Sequence, residues 1–210
     1  MKQPRTVTRA TLGRLPEYLS YLQRILPEKK TVSATAISRE LGYGEVQVRK
    51  DLSVVSGAGK PKVGYVTADL VESLERYLTG GECSHAVIVG AGKLGGAILD
   101  YDGFLGFGLK IIAAFDTDPE RYGASALGKP ILPMEGLEDF CRREKVRIGI
   151  ITVPAKAAQE IADRLIGAGV SAIWSFAPTH LRVPETVFLQ EENLALSLAH
   201  LRIRNDRSGI

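Results

Sequence analysis

Hydrophobic positions change their spacing about a third of the way along the chain. Leu12, Leu15, Leu19, Leu22 and Leu26 recur at steps of three and four, the period of one helix face. Pro16 predicts the first turn of that helix and Pro27 its end. A second helix is expected from the cap Ser33, burying Ile37 and Leu41, until Gly42-Tyr43-Gly44 breaks the chain. A third follows, with Val48, Leu52 and Val55 inward and Gln47, Arg49, Lys50 and Ser53 pointing elsewhere. Gly57 to Val66 reads as a basic hairpin, and Leu70 to Leu78 as a helical connector between two domains. From residue 85 the apolar residues fall instead in short runs separated by amphipathic stretches. Strands are expected at 85–89, 110–115, 147–152 and 171–175, with helices near 93–102, 135–144 and 155–167. That alternation predicts a parallel sheet with helices on both faces. The last segment, Glu191 to Arg204, sets Leu194, Leu198 and Leu201 at helical spacing, with no later strand to cover. Such a helix calls for a partner chain, the other possibility being its own sheet.

Charge separates the same two regions. Residues 1–65 carry 12 Lys and Arg against 5 Asp and Glu, a net +7; the remainder, with 15 against 19, sums to −4. A basic end suits a polyanion, while the acidic remainder does separate work. Helix, helix, glycine turn and polar-faced helix is the helix-turn-helix order, and the basic hairpin after it would be a wing. The third helix would then enter the major groove, with Gln47, Arg49, Lys50 and Ser53 on its outer side. Lys60, Lys62 and Tyr65 would serve the wing against phosphates or the minor groove. One small domain makes few contacts, so a dimer on a two-fold site is expected.

The acidic region carries Gly90-Ala91-Gly92-Lys93-Leu94-Gly95 directly after the run His85 to Val89, and Asp116 follows 21 residues after Gly95. This is a dinucleotide-binding fingerprint in its required context of strand, turn and helix. The glycines permit a tight turn and close approach of a pyrophosphate, with Lys93 and Leu94 opening the helix that faces it. Asp116 is placed to accept from a ribose 2′-hydroxyl and would repel a 2′-phosphate, which favours NADH and NAD+ over their phosphorylated forms. The loops Thr152-Val153-Pro154 and Ser175-Phe176-Ala177-Pro178 end two later strands and should flank the nucleotide, although Phe176 could equally be core. Tyr101 could reach the nicotinamide side or be an ordinary amphipathic tyrosine. A Gly-rich turn for CoA or another nucleotide is the competing reading. Cys83 and Cys141 lack metal-type spacing and no secretory or membrane-spanning run is present, so a cytoplasmic protein with reduced thiols is expected.

Taken in order, these motifs resemble the bacterial Rex family of redox-sensing transcriptional repressors over nearly the full length. The matching residues are Gln47 to Ser53, Gly64-Tyr65, Val89 to Gly95, Phe115 to Pro119, Thr152 to Pro154, Phe176 to Pro178 and Val183-Pro184. The resemblance implies an α/β chain in three parts: a winged helix-turn-helix domain at 1–79, a Rossmann-like NAD(H)-binding domain at 80–190, and a domain-swapped helix at 191–210. It implies a homodimer on double-stranded operator DNA, released when NADH binds. Tyr101, Thr152, Pro154 and Phe176 would then fall near the nicotinamide half, and Leu194 would approach the neighbouring subunit's cofactor. The chain departs from the family pattern at Ser20 and Asn193, where relatives commonly hold an Arg and an Asp that form an ion pair. Ser175 stands where Asn is usual, and Val54-Val55 replaces an aromatic pair. These changes bear on redox gating rather than on DNA or nucleotide binding.

Two other classes use part of the pattern. An NAD-dependent oxidoreductase or a CoA-ligase-type subunit needs a positioned acid or base, and His85, His180 and His200 are poorly placed for it. A DNA-binding protein with a purely structural nucleotide uses every feature except switching.

Overall fold

The computed structural model describes residues 8–57, 59–60, 63–80 and 83–207. They divide into two compact units, residues 1–83 with 105–108, and 84–104 with 109–210.

The N-terminal unit is helical. Helix α1 (Arg9–Ile25) starts where the Thr8 side chain accepts from the Thr11 N–H, before Leu15, the first buried leucine of the stripe. Pro16 therefore lies inside α1, not in its first turn. Leu15, Leu19 and Leu22 are fully buried, while the stripe's ends, Leu12 and Leu26, are exposed. Strand β1 (Thr31–Val32) leads into α2 (Ala34–Leu41), capped by the Ser33 hydroxyl and stopped by Gly42 in the left-handed conformation. Helix α3 (Glu45–Val55) buries Val48 and Leu52 completely. The chain then turns back as β2 (Tyr65–Val66), antiparallel to β1.

Helix α4 (Thr67–Thr79) corrects the expected connector. Leu70, Val71 and Leu74 complete the same apolar core as Leu15, Ile37 and Leu52, so α4 is a structural wall of this unit. At its first position, Thr67 Oγ1 is buried without a hydrogen-bond partner, the one such side-chain atom among the described residues. An unsatisfied hydroxyl carries its desolvation cost uncompensated. Thr67→Val, which keeps the shape and drops the hydroxyl, is expected to leave stability unchanged or raise it by up to about 1 kcal/mol, as read by urea denaturation. A loss larger than that would reveal a bond to this hydroxyl.

The C-terminal unit is a doubly wound sheet. Its strands are β3 (Ser84–Val89), β4 (Leu109–Asp116), β5 (Gly123–Ala124), β6 (Pro130–Pro133), β7 (Ile148–Ile151), β8 (Ala172–Ser175) and β9 (Phe188–Glu191), in the order β5-β6-β4-β3-β7-β8-β9. All neighbours are parallel except β5 on β6. Seven strands replace the four expected; β5, β6 and β9 are short additions at the two edges. Strand β3 is buried on both faces, which explains its unbroken apolar run. Ala86 and Ile88 join one core with Leu99 of α5 (Lys93–Leu99). Val87 and Val89 join the other, with Leu137 and Cys141 of α6 (Leu137–Arg143) and Ala158 and Leu165 of α7 (Ala155–Gly167). Both cysteines are free, and burial pushes the Cys141 thiol up to about 11.

Helix α8 (Leu194–Arg207) ends the described chain. Leu194, Leu196, Leu198, Leu201 and Ile203 are all exposed, so the sheet of its own unit does not cover this helix. No helix among the described residues is long and apolar enough to cross a membrane.

Candidate functional site

In the N-terminal unit the outward side of α3 is polar and basic. Gln47, Arg49 and Lys50 are exposed; Ser53 is half-buried and donates to the Lys50 carbonyl at 2.7 Å. Arg49 pairs with Glu45 one turn earlier. Val46, which the sequence pattern did not single out, is 67% exposed beside Gln47. In the hairpin, Lys60 and Gly64 exchange two backbone hydrogen bonds, Lys60 N–H to Gly64 O and Gly64 N–H to Lys60 O, both 2.8 Å. Those bonds fix the Lys60 backbone against Gly64. Tyr65 is half-buried, its ring against Gly59, where an added methyl would lie 2.9 Å from it. Lys62 lies outside the described residues.

What fixes α3 is a buried carboxylate. Asp51, 4% exposed, accepts from Arg14 Nε at 2.8 Å, Arg14 Nη2 at 3.1 Å, Thr11 Oγ1 at 3.0 Å and Tyr18 Oη at 2.9 Å. Burial alone would push its pKa up, but the hydrogen bonds from Arg14, Tyr18 and Thr11 outweigh it and hold the carboxyl below its ordinary value. Tyr18 shifts the other way: burial first, then the bond to this carboxylate, raise its phenol well above the ordinary range. One charge thus binds α3 to α1 through three residues of α1. The helical pattern gave no sign of it, because a charged residue beside Lys50 reads as surface.

In the C-terminal unit the chain leaves β3, crosses to β4 on one side, and returns to β7 on the other. The crevice at such a reversal, beyond the carboxyl ends of the strands, is where doubly wound sheets take ligands. A cleft of about 310 Å³ lies there, lined among others by Gly90, Gly92, Asp116, Arg121, Thr152 and Pro154. Gly95 packs so close to the turn that an added methyl carbon would sit 1.8 Å from the Gly90 carbonyl oxygen. Gly90 itself has φ +100° and would press on the Thr152 backbone. The Thr152 hydroxyl donates to the carbonyls of Gly90 at 2.6 Å and Val89 at 3.1 Å, tying β7 to the turn. At Gly92 a methyl would meet only the movable Nη1 of Arg121, at 3.1 Å. Gly92 has no capping side chain, so the first N–H groups of α5 lack a side-chain partner there.

Asp116 ends β4 and is mostly shielded. Its Oδ2 accepts from the Ala91 N–H at 2.6 Å and its Oδ1 from the Asp118 N–H at 2.9 Å, while Arg121 Nη1 lies 3.8 Å away. Each carboxylate oxygen keeps a second lone pair for a hydroxyl. Arg164 of α7 grips Glu138 of α6 at 2.6 and 3.0 Å and the Met134 carbonyl at 2.7 Å, which seats Met134 in the cleft wall. The Arg164 hydrogen bond also lowers the Glu138 pKa. The arrangement can accept phosphates against a glycine turn and hydroxyls at one carboxylate, as a dinucleotide requires.

Of the predicted nucleotide residues, Gly90, Gly92, Asp116, Thr152 and Pro154 border the cleft; Lys93, Leu94, Tyr101, Phe176 and Leu194 are not among its lining. Gly95 supports the turn from behind. Tyr101, Phe104, Trp174 and Phe176 form a chain of ring contacts with centroid separations of 5.0, 6.0 and 4.5 Å along the opposite face of the sheet. Leu194 is 62% exposed at the start of α8. Arg121, Met134, Ala157 and Ile161 line the cleft without having been expected. Only Arg121 left a trace in the sequence, as a cation five residues after the acid.

Of the two departures at the family's ion-pair positions, the structure gives Asn193 a local role and Ser20 none. Asn193 Oδ1 accepts from the Leu196 N–H at 2.9 Å and so caps α8, a role Asn and Asp fill equally well. Ser20 is an exposed residue of α1. His180, one of the three histidines poorly placed for acid or base work, is exposed, bonds Glu191 at 2.8 Å and is not among the residues lining the cleft.

Residues 6–53 match the family described as “Putative DNA-binding protein N-terminus”, and residues 82–179 match the CoA binding domain family. Proteins named redox-sensing transcriptional repressor Rex are similar over most of the chain. That of Porphyromonas gingivalis is 42% identical over 92% of this chain and 89% of its own length. That of Bacteroides thetaiotaomicron is 39% identical over 96% and 90%. Among solved structures, RSP with β-NAD+ and operator DNA superposes with a TM-score of 0.85 at 35% identity, covering 97% of this chain and 94% of that one. RSP with β-NADH gives 0.82 at 34% identity, covering 97% and 96%.

Proposed function

Because this chain belongs to the Rex family of redox-sensing transcriptional repressors, we propose that it is a DNA-binding repressor whose operator affinity is set by NADH and NAD+. The observation that carries this is the pairing, in one chain, of an exposed basic recognition helix with a glycine-walled cleft ending in Asp116. Helix α3 enters the major groove with Gln47, Arg49, Lys50 and Ser53, while Lys60, Lys62 and Tyr65 hold the wing against the adjacent backbone. The adenosine half of the dinucleotide lies along Gly90, Gly92 and Gly95 with its ribose on Asp116. Arg121 is placed to meet a pyrophosphate. Lys93, Leu94, Thr152 and Pro154 surround the turn. Tyr101, Phe176 and Leu194 serve the nicotinamide half as a dimer completes the site.

Residues 1–79, 80–190 and 191–210 are the DNA-binding, nucleotide-binding and dimerising parts. The exposed leucines of α8 fit a second copy of the chain. The protein works in the cytoplasm and is no enzyme: bound dinucleotide supplies differential affinity for two conformations instead of a reaction, and His180 is turned to Glu191.

Calorimetric titration with NADH, NAD+ and NADPH tests the nucleotide half of this reading. NADH is expected to bind at least about tenfold tighter than NADPH, because a 2′-phosphate meets the Asp116 carboxylate. Equal or tighter binding of NADPH would assign the 2′ position to Arg121 instead.

A further inference from the structure

The contact that anchors α3 also constrains one of its outward side chains. Arg14 carries five N–H donors in a rigid fork. Nε and Nη2 engage Asp51 at 2.8 and 3.1 Å. With the glutamine amide turned so that acceptor meets donor, Nη2 and Nη1 also meet Gln47 Oε1, at 2.8 and 3.1 Å. Arg14 is itself held, since its partner Asp51 is buried and further bonded by Tyr18 and Thr11. The Gln47 oxygen is therefore turned inward with its acceptor capacity used. Only Nε2, a donor of two hydrogens, remains for whatever α3 meets.

That matters for base recognition. A free glutamine reads adenine with both ends of its amide, accepting from N6 and donating to N7. With the oxygen occupied, adenine would set its own N6 donor against the Nε2 donor of Gln47. Guanine offers two adjacent acceptors, O6 and N7, and thymine only O4. Resting on the reading that α3 occupies the major groove, we propose that Arg14 makes Gln47 a donor-only reader that selects guanine over adenine at the base pair it faces. Arg14 touches no base in this scheme; it is a positioning residue acting through Gln47.

Selection from a randomised duplex library tests this with the full-length protein, Gln47→Ala, Arg14→Lys and Gln47→Glu. The position read by Gln47 is the one whose preference Gln47→Ala removes. There the unsubstituted protein is expected to favour guanine over adenine on the order of tenfold. Arg14→Lys keeps a cation for Asp51 but lacks the fork, so the freed Gln47 shifts the preference toward adenine. Gln47→Glu pairs with Arg14, keeps the fold and has no outward donor, so the guanine preference disappears. An Arg14 that acted only on stability would weaken all sequences alike and leave the ratio unchanged.

Adenine favoured by the unsubstituted protein, no position responding to Gln47→Ala, or an unchanged ratio in folded Arg14→Lys would each overturn the proposal. If circular dichroism shows Arg14→Lys unfolded, Gln47→Glu decides: a retained guanine preference overturns the proposal and a lost one supports it. A protein that bound no duplex at all would overturn the DNA-binding reading beneath it, an outcome distinct from the wrong base at a bound site.

Discussion

Asp51→Ala is expected to destabilise the N-terminal unit by about 3 kcal/mol, at the lower end of the range for removing one partner of a buried ion pair. The substitution leaves the Arg14 guanidinium, 15% exposed, and the Tyr18 hydroxyl without their acceptor, and it opens a gap between α1 and α3. For a unit of this size that corresponds to a fall in Tm on the order of 10–20 °C. Trp174, the single tryptophan, lies in β8 of the other unit and reports that unit separately. The early transition should therefore appear in far-UV circular dichroism while the Trp174 fluorescence transition stays in place. Asp51→Asn, which keeps the shape but loses the charge, should fall between the two. The same carboxylate predicts acid sensitivity. Its folded-state pKa lies below the unfolded value, so its contribution is fully present above about pH 4 and is lost as pH falls through the folded value. An Asp51→Ala protein that melted like the parent would mean that α3 is held by its apolar contacts alone.

Gly95→Ala and Gly92→Ala should separate fold from ligand. A methyl at Gly95 falls on the Gly90 carbonyl oxygen, which is backbone and cannot step aside without moving β3 or α5. The expected loss is about 3 kcal/mol, at the upper end for overpacking, with the Trp174 transition moving to lower urea. A methyl at Gly92 meets only the end of Arg121, so stability should stay within about 0.5 kcal/mol. Binding should still weaken by more than about tenfold, because that methyl stands where a pyrophosphate must approach the backbone. Equal urea midpoints for the two variants would show that the turn can relax, and unchanged NADH affinity in Gly92→Ala would move the phosphates off this loop.

Much of this architecture was legible because its signals are periodic. Leu15, Leu19 and Leu22 mark one helix face, Ser33 and Gly42 bound a second helix, and β3 shows the unbroken apolar run of a strand buried on both sides. The glycines of residues 90–95 were readable for a different reason: Gly90 and Gly95 answer to close approach of backbone to backbone, and Gly92 to the approach of a pyrophosphate. Signals failed where tertiary context overrides local pattern. Asp51 sits among charged neighbours in a helix and nothing local distinguishes it from Lys50, because its partners lie 33 to 40 residues away. Strands β5 and β6 have two and four residues and are bounded by Gly and Pro, and Phe188 of β9 is 80% exposed, so none forms the apolar run that announced β3. Helix α4 has the amphipathic spacing of a surface connector; that its apolar side closes the N-terminal core depends on α1 lying opposite. Pro16 was misplaced because the cap at Thr8 adds a stretch of helix before the first buried leucine.

In a repressor set by NADH and NAD+, nucleotide and DNA binding are coupled, so that NADH lowers operator affinity by the same factor that operator lowers NADH affinity. Fluorescence anisotropy of the dimer on a labelled palindromic operator, titrated with NADH and separately with NAD+, measures it most directly. Release by NADH is expected at concentrations far below any at which NAD+ acts. DNA binding that neither nucleotide changes, or that both change at the same concentration, would contradict it and leave a DNA-binding protein whose nucleotide is structural.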